Sequence, residues 1–293
     1  MTIRDVLIQG SANLKSAGIE SASLDASLLL AHVLNVTRTA LAAMGPDVIT
    51  DEALNAFRDL AERRGKGECA AYILGKKEFR NLEFFVNSSV LVPRPDTETL
   101  VEAAIKTGSE KWGKENKIRV LDLCTGSGAI AISLKHEMPH LEVCASDISP
   151  DAVKIAKQNA AKLLPYGSDI KFFQGELFDA LPAEYNSRFP AFHIIACNPP
   201  YIPSNEINTL CAEVRNEPRL ALDGGKTGLE IIERIIEKAP NYLLVGGGVL
   251  LMEADPGQME KIASLLERRG FNDIILYRDL SGFNRVIGGK FEK

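Results

Sequence analysis

Between residues 118 and 253 short apolar runs alternate with segments of helical periodicity, and this alternation restricts the chain to a small set of folds. The runs are 118–123, 141–145, 170–173, 192–197 and 249–253, and the intervening segments include 151–163 and 229–239. Parallel strands need crossovers long enough to hold a helix, so the pattern predicts a mostly parallel sheet covered on both faces. Near the end, 273–277 and 284–287 are joined through a turn at Ser281-Gly282. That junction is too short for a crossover helix, so the last pair is expected to be antiparallel.

Residues 2–75 read differently. Thr2 precedes a segment carrying Ile3, Val6, Leu7 and Leu14, a second segment carries Leu24, Leu28, Leu29 and Val33, and Thr37 and Thr50 stand where N-caps belong. The segment 78–86 reads as a short hairpin. The expected organisation is therefore a helical domain at 1–75, a β-hairpin linker at 76–92 and an α/β domain at 93–293. The helical part holds seven basic and nine acidic residues, which is not the balance of a basic nucleic-acid-binding arm. A partner-recognition module and a packing extension both fit it.

With 45% hydrophobic and 25% charged residues among 293, the composition is that of an ordinary folded protein. The longest apolar stretch, 242–252, contains three glycines and is short of the roughly 20 residues that cross a bilayer. The start, Met1-Thr2-Ile3-Arg4-Asp5, lacks the pattern of a secretory signal, so a cytoplasmic location is expected. Cys69, Cys124, Cys144, Cys197 and Cys211 are too widely spaced for a zinc knuckle or dithiol motif. A formal charge of -5 gives no general attraction to phosphate backbones.

Two segments carry chemistry. The first is Asp122-Leu123-Cys124-Thr125-Gly126-Ser127-Gly128, between a strand and a helix. Its glycines permit a tight turn and a close ligand approach, and the helix N-terminus adds a positive dipole end. Asp147, 21 residues beyond Gly126 at the end of the next strand, stands where a ribose-binding carboxylate belongs. This spacing suits NAD and S-adenosylmethionine equally. The second segment, Asn198-Pro199-Pro200-Tyr201, follows the fourth strand of the sheet, at the edge where open α/β sheets bind ligands. Consecutive prolines fix the backbone and offer no N–H donors, leaving an acceptor-rich loop. The Asn198 oxygen and the Pro199 carbonyl would hold the two N–H bonds of a planar amide, while Tyr201 packs its ring on that group.

Together the 122–128 segment, Asp147 and 198–201 resemble class I S-adenosylmethionine-dependent methyltransferases acting on planar nitrogens. Pro93-Arg94-Pro95-Asp96-Thr97-Glu98 and the segment from Glu217 to Gly225 narrow the likeness to the peptide chain release factor glutamine methyltransferases, the HemK/PrmC family. The resemblance runs from about residue 72 to residue 289. It implies a Rossmann-like, seven-stranded methyltransferase sheet with an antiparallel last strand. It also implies S-adenosylmethionine as methyl donor and, as acceptor, the glutamine of a Gly-Gly-Gln loop in a release factor. By position, Cys124, Thr125, Gly126, Ser127, Gly128, Asp147, Ile148, Leu177 and Asn198 would line the cofactor. Asn198, Pro199, Pro200 and Tyr201 would carry the catalytic and substrate-binding roles, with Arg94 beside them. Cys124 stands where glycine is frequent and would keep the turn on a negative φ; Leu177 stands where tryptophan is common.

His136-Glu137-Met138-Pro139-His140 matches a zinc-protease motif by letter, but Pro139 breaks the helix that would align the two histidines, and no metal is expected. Glu253, at a strand end, either faces the cleft or caps the next helix, and capping is the slightly preferred expectation. Neither membrane nor direct nucleic acid is expected as a partner. Other readings are methylation of a ribosomal-protein glutamine or an adenine, a non-catalytic adaptor, and an NAD-dependent oxidoreductase. The last leaves the double-proline segment without a purpose.

Overall fold

The computed structural model describes residues 1–113, 117–185 and 192–292, which form two compact units. One unit comprises Met1–Lys76 together with Cys211–Asn216, and the other comprises Lys77–Leu210 and Glu217–Lys293.

The first unit is helical: α1 (Ile3–Ser16), α2 (Ala22–Val33), α3 (Arg38–Ala43), α4 (Asp51–Gly65) and α5 (Ala70–Leu74). The hydroxyls of Thr2, Thr37 and Thr50 accept backbone N–H bonds at the starts of α1, α3 and α4, satisfying donors the helices leave open. Ile3, Val6, Leu14, Leu29, Leu30, Leu41 and Phe57 form its core. Each fully buried side chain of this size is worth about 1.5–3 kcal/mol. Inside the unit Arg64 lies buried, its Nε donating to Asp25 Oδ2 at 2.8 Å and its Nη2 to Glu213 Oε2 at 2.7 Å.

The hairpin β1 (Lys76–Phe79) and β2 (Leu82–Phe85) begins on the last residue of the helical stretch and otherwise belongs to the second unit. Its two turn residues, Arg80 and Asn81, both have positive φ, as a type I′ turn requires. After α6 (Glu98–Trp112) come β3 (Arg119–Leu123), α7 (Ala129–Glu137), β4 (Glu142–Asp147), α8 (Pro150–Leu163), β5 (Ile170–Gln174) and β6 (Ile194–Cys197). The short helix α9 (Ala212–Arg215) belongs to the helical unit and is followed by α10 (Arg219–Leu222) and α11 (Glu230–Lys238). The chain ends with β7 (Gly248–Glu253), α12 (Met259–Arg269), β8 (Phe271–Arg278) and β9 (Asn284–Phe291).

The sheet has seven strands in the order β5-β4-β3-β6-β7-β9-β8. Strands β3 to β7 are mutually parallel, and β9 runs antiparallel to both its neighbours. The fold is therefore the expected α/β one, with the chain's last strand inserted between β7 and the edge strand β8. Strand order reverses at β3 and β6, so a crevice opens beyond the carboxyl ends of this pair, where open α/β sheets place their ligands. The pairing Leu123↔Cys197 fixes the level at which the two following loops emerge.

Candidate active site

The loop after β3 and the loop after β6 leave adjacent strands at one level, and both open on a single cavity of about 180 Å³. Cys124, Gly126, Asp147 and Ile148 line it from one side, and Leu177, Asn198 and Pro200 also face it.

Other predicted residues support the walls. Thr125 Oγ1 donates to Asp122 Oδ2 at 2.6 Å, and the Ser127 carbonyl accepts from Asn159 Nδ2 at 2.9 Å. Gly128 caps α7, where a Cβ would lie 2.8 Å from Ile132 Cδ1. Gly126 differs: a Cβ there would meet nothing within 4 Å, and the positive φ alone selects glycine.

Cys124 corrects the expectation of a negative φ, since its φ is +58°. The chain reverses there so that the Thr125 N–H reaches the Ser146 carbonyl at 3.0 Å. Its free thiol neighbours that of the buried Cys197, whose pKa burial pushes up. Leu177, at φ +48°, is likewise left-handed and is buried against the cavity.

Asp147 closes β4. Its Oδ2 accepts the Gly126 N–H at 2.8 Å and its Oδ1 the Ser149 N–H at 2.9 Å. Burial raises its pKa, and the backbone donors of Ser149, Gly126 and Ile148 oppose that rise. Asp122, fully buried beneath the loop, is pushed up to about 7 by burial despite hydrogen bonds from Thr125 and Ala131.

Asn198 Nδ2 donates to Thr97 Oγ1 at 3.1 Å, across 101 residues of sequence. With its NH2 group engaged there, the side-chain oxygen is the end left for a ligand. The Tyr201 hydroxyl donates to Glu253 Oε1 at 3.4 Å, and the Tyr201 carbonyl accepts from Gln258 Nε2 at 2.9 Å. Glu253 itself is buried, and its carboxyl is pushed up to about 7. Burial is the main cause; the Thr97 hydrogen bond and Arg285 work against it, while Asp96 adds to it. The preferred expectation that Glu253 caps a helix is incorrect, because Asp255 makes that cap by accepting the Gly257 N–H. Arg94 Nη2 donates to Glu217 Oε1, and Glu217 Oε2 accepts the Val92 N–H at 3.0 Å. The two segments of the resemblance, 93–98 and 217–225, are thus tied together, and Pro218, Leu220 and Ala221 extend the second along the cavity.

The comparisons with known proteins agree with this architecture. Residues 5–75 match the family model of the PrmC N-terminal domain, and residues 105–223 match the methyltransferase small domain. A release factor glutamine methyltransferase of Geobacter sulfurreducens is 39% identical over 290 residues, covering 99% of this chain and 96% of that protein. This chain belongs to the release factor glutamine methyltransferase family. A second relative of that name, from Deinococcus radiodurans, is 37% identical over 287 residues, covering 98% of each chain. Among solved structures, a methyltransferase from Pyrococcus furiosus aligns with TM-score 0.51 at 15% identity, covering 74% of this chain and 92% of that one, a likeness of fold alone.

Thr97 has no role assigned by the sequence pattern, although it lies inside the 93–98 segment. Its place beside Asn198 follows from the packing of α6, which the turn precedes, against β6. Ser89, Val90 and Leu91 also line the cavity, and no local pattern marks them. In the segment 136–140, α7 ends at Glu137, so His136 and His140 do not share a helical face. Among the described residues no His, Cys, Asp and Glu group has metal-holding geometry, and no helix is long and apolar enough to cross a membrane.

Proposed function

We propose that this chain transfers a methyl group from S-adenosylmethionine to the side-chain amide nitrogen of the glutamine in the Gly-Gly-Gln loop of peptide chain release factors. The observation that carries the reading is the opening of the glycine loop and the Asn198 segment, from neighbouring strands, on one cavity. A nucleotide site without the acceptor-rich loop would serve many reactions; the pair suits methylation of a planar NH2 group. The helical unit is read as the element that recognises the protein partner. The reaction is read as cytoplasmic, with neither a membrane nor nucleic acid taking part.

The donor set fits a nucleoside bearing a sulfonium. Each Asp147 oxygen already accepts one backbone N–H and retains a lone pair for a ribose hydroxyl. Ile148 and Leu177 would give apolar contact to the adenine, and the open face of Gly126 would leave room for close approach by the methionine part.

When bound, the cofactor supplies a methyl group on positively charged sulfur, which needs no metal or general base to be transferable. The protein's task is to position the amide. Asn198 Oδ1 accepts one substrate N–H and the Pro199 carbonyl the other, so the nitrogen lone pair points along the line of attack. Pro200 walls the cavity; Tyr201 is read as packing its ring on the flat amide, and Arg94, held by Glu217, as standing beside the substrate. Transfer would form the N–C bond as the S–C bond breaks with its electron pair left on sulfur, and the substrate nitrogen, made acidic by the added methyl, would release a proton to water.

Incubation with labelled methyl donor and purified release factors, including one whose loop glutamine is replaced, tests this reading. Label on the parent factor alone supports it. Equal label on the replaced factor, or none on either, contradicts it.

A further inference from the structure

We propose that Glu253 is a positioning residue for methyl transfer, acting through Thr97 to orient and polarise the Asn198 amide. The inference rests on the reading of Asn198 as the amide clamp and adds how that clamp is kept in its working orientation.

An asparagine amide is nearly symmetric in shape, and a half-turn about its last torsion exchanges NH2 for oxygen. In the exchanged orientation Asn198 would offer a donor to the donor groups of a substrate amide. The structure supplies a directional chain against this. Asn198 Nδ2 donates to Thr97 Oγ1 at 3.1 Å, and the Thr97 hydroxyl stands beside the Glu253 carboxylate, where a hydrogen bond from it favours the ionised form. Tyr201, from the same loop as Asn198, donates to Glu253 Oε1 at 3.4 Å. An ionised carboxylate can only accept, so the chain's polarity is fixed at the Glu253 end. Thr97 and Glu253 are 4% and 1% exposed, so water does not compete for these bonds. Glu253 Oε2 is buried without a hydrogen-bond partner among the described residues. A buried carboxylate oxygen left in that state is not explained by packing, since an apolar side chain would fill the position without the desolvation penalty.

Polarisation follows from the same chain. During transfer positive charge moves from the sulfur onto the substrate nitrogen, and hydrogen bonds in series strengthen one another at low dielectric. A negative charge at Glu253 makes Thr97 a better acceptor, and so makes Asn198 Oδ1 a stronger acceptor of the substrate N–H. The groups facing Glu253 are Tyr201, Thr97 and Asp96 in the turn before α6, and Arg285 on β9. Arg285 is itself held between Asp96 at 3.3 Å and Asp279 at 3.2 Å. Arg285 favours the ionised form, and burial with Asp96 opposes it; the balance lies at about 7, so the ionised fraction changes across neutral pH.

The test uses the full chain, S-adenosylmethionine and a purified release factor, with kcat and KM measured against pH for the parent, Glu253→Gln, Thr97→Val and Thr97→Ser. Cofactor-induced shifts in Tm check that each variant folds and binds. For the parent, kcat rises with pH through a limb near about 7. Glu253→Gln loses the limb and its kcat falls on the order of tenfold, with cofactor KM unchanged. Thr97→Val falls as far, and Thr97→Ser, which keeps the hydroxyl, recovers. The inference is overturned if the parent transfers methyl but Glu253→Gln retains both the limb and the parental kcat, or if Thr97→Ser falls with Thr97→Val. Should Glu253→Gln fail to fold, the two Thr97 variants decide alone. If the parent methylates no release factor, the functional reading itself fails and this inference falls with it.

Discussion

Gly126 donates its backbone N–H to Asp147 Oδ2 at 2.8 Å, so the loop after β3 and the acid at the end of β4 hold one another in place. Asp147 therefore shapes the glycine loop, and in the proposed reading its remaining lone pairs serve a ribose. Asp147→Ala is expected to weaken S-adenosylmethionine binding by about tenfold or more, a loss of at least ~1.4 kcal/mol. Thermal shift on cofactor titration measures it. An unchanged dissociation constant would remove Asp147 from the cofactor site.

The two glycines of the loop separate conformation from packing. Gly126→Ala places its Cβ in open space and costs about 1–2 kcal/mol for the left-handed backbone alone. Gly128→Ala incurs the same strain and drives a Cβ to 2.8 Å from Ile132 Cδ1 and 3.2 Å from Ala156 Cβ, adding about 1–3 kcal/mol of overpacking. Urea unfolding is expected to rank Gly128→Ala as clearly less stable than Gly126→Ala. The reverse order would refute the division of roles.

Asp122 makes stability depend on pH. Its pKa, pushed up to about 7 in the fold, lies above the unfolded value, so the native state binds the extra proton in between. Stability is then expected to fall as pH rises from about 4 to about 7, by on the order of 4 kcal/mol from this group. Asp122→Asn cannot ionise and removes that slope. Chemical denaturation of both proteins at the two ends of the window supplies the comparison; parallel profiles would contradict it.

The fold was largely legible because its signals are local. Apolar runs marked the sheet strands, and Thr2, Thr37 and Thr50 marked helix starts through hydrogen bonds within three residues. Phe192 joins the sheet only by a bridge to Leu243, and regular pairing begins at Ile194, because an apolar run marks burial rather than register. The insertion of β9 between β7 and β8 was not legible, since strand order depends on contacts between distant segments. The same holds for the site: the loop motifs were readable as letters, but the Asn198–Thr97 bond spans 101 residues. The sign of φ at Cys124 is not legible locally, because the reversal toward Ser146 is set by β4.

In the helical unit, Asp25→Ala leaves the buried Arg64 with Glu213 as its remaining carboxylate among those described. Removing one partner of a buried pair costs about 3–5 kcal/mol, with Glu213 keeping the loss toward the lower end. Replacing Asp25 and Arg64 together by apolar residues is expected to recover most of it. Helical circular dichroism during urea unfolding reads both outcomes, and a double variant no better than Asp25→Ala would contradict the account.

The central claim is that Asn198 holds the substrate amide and Asp147 the donor. Its most direct test is mass-spectrometric mapping of a purified release factor after incubation with S-adenosylmethionine and either the parent chain or Asn198→Ala. The account predicts one methyl group on the amide of the loop glutamine with the parent chain. With Asn198→Ala it predicts transfer slowed by about a hundredfold or more while the cofactor still raises Tm. Methylation at any other residue, or a variant that transfers at the parental rate, would contradict it.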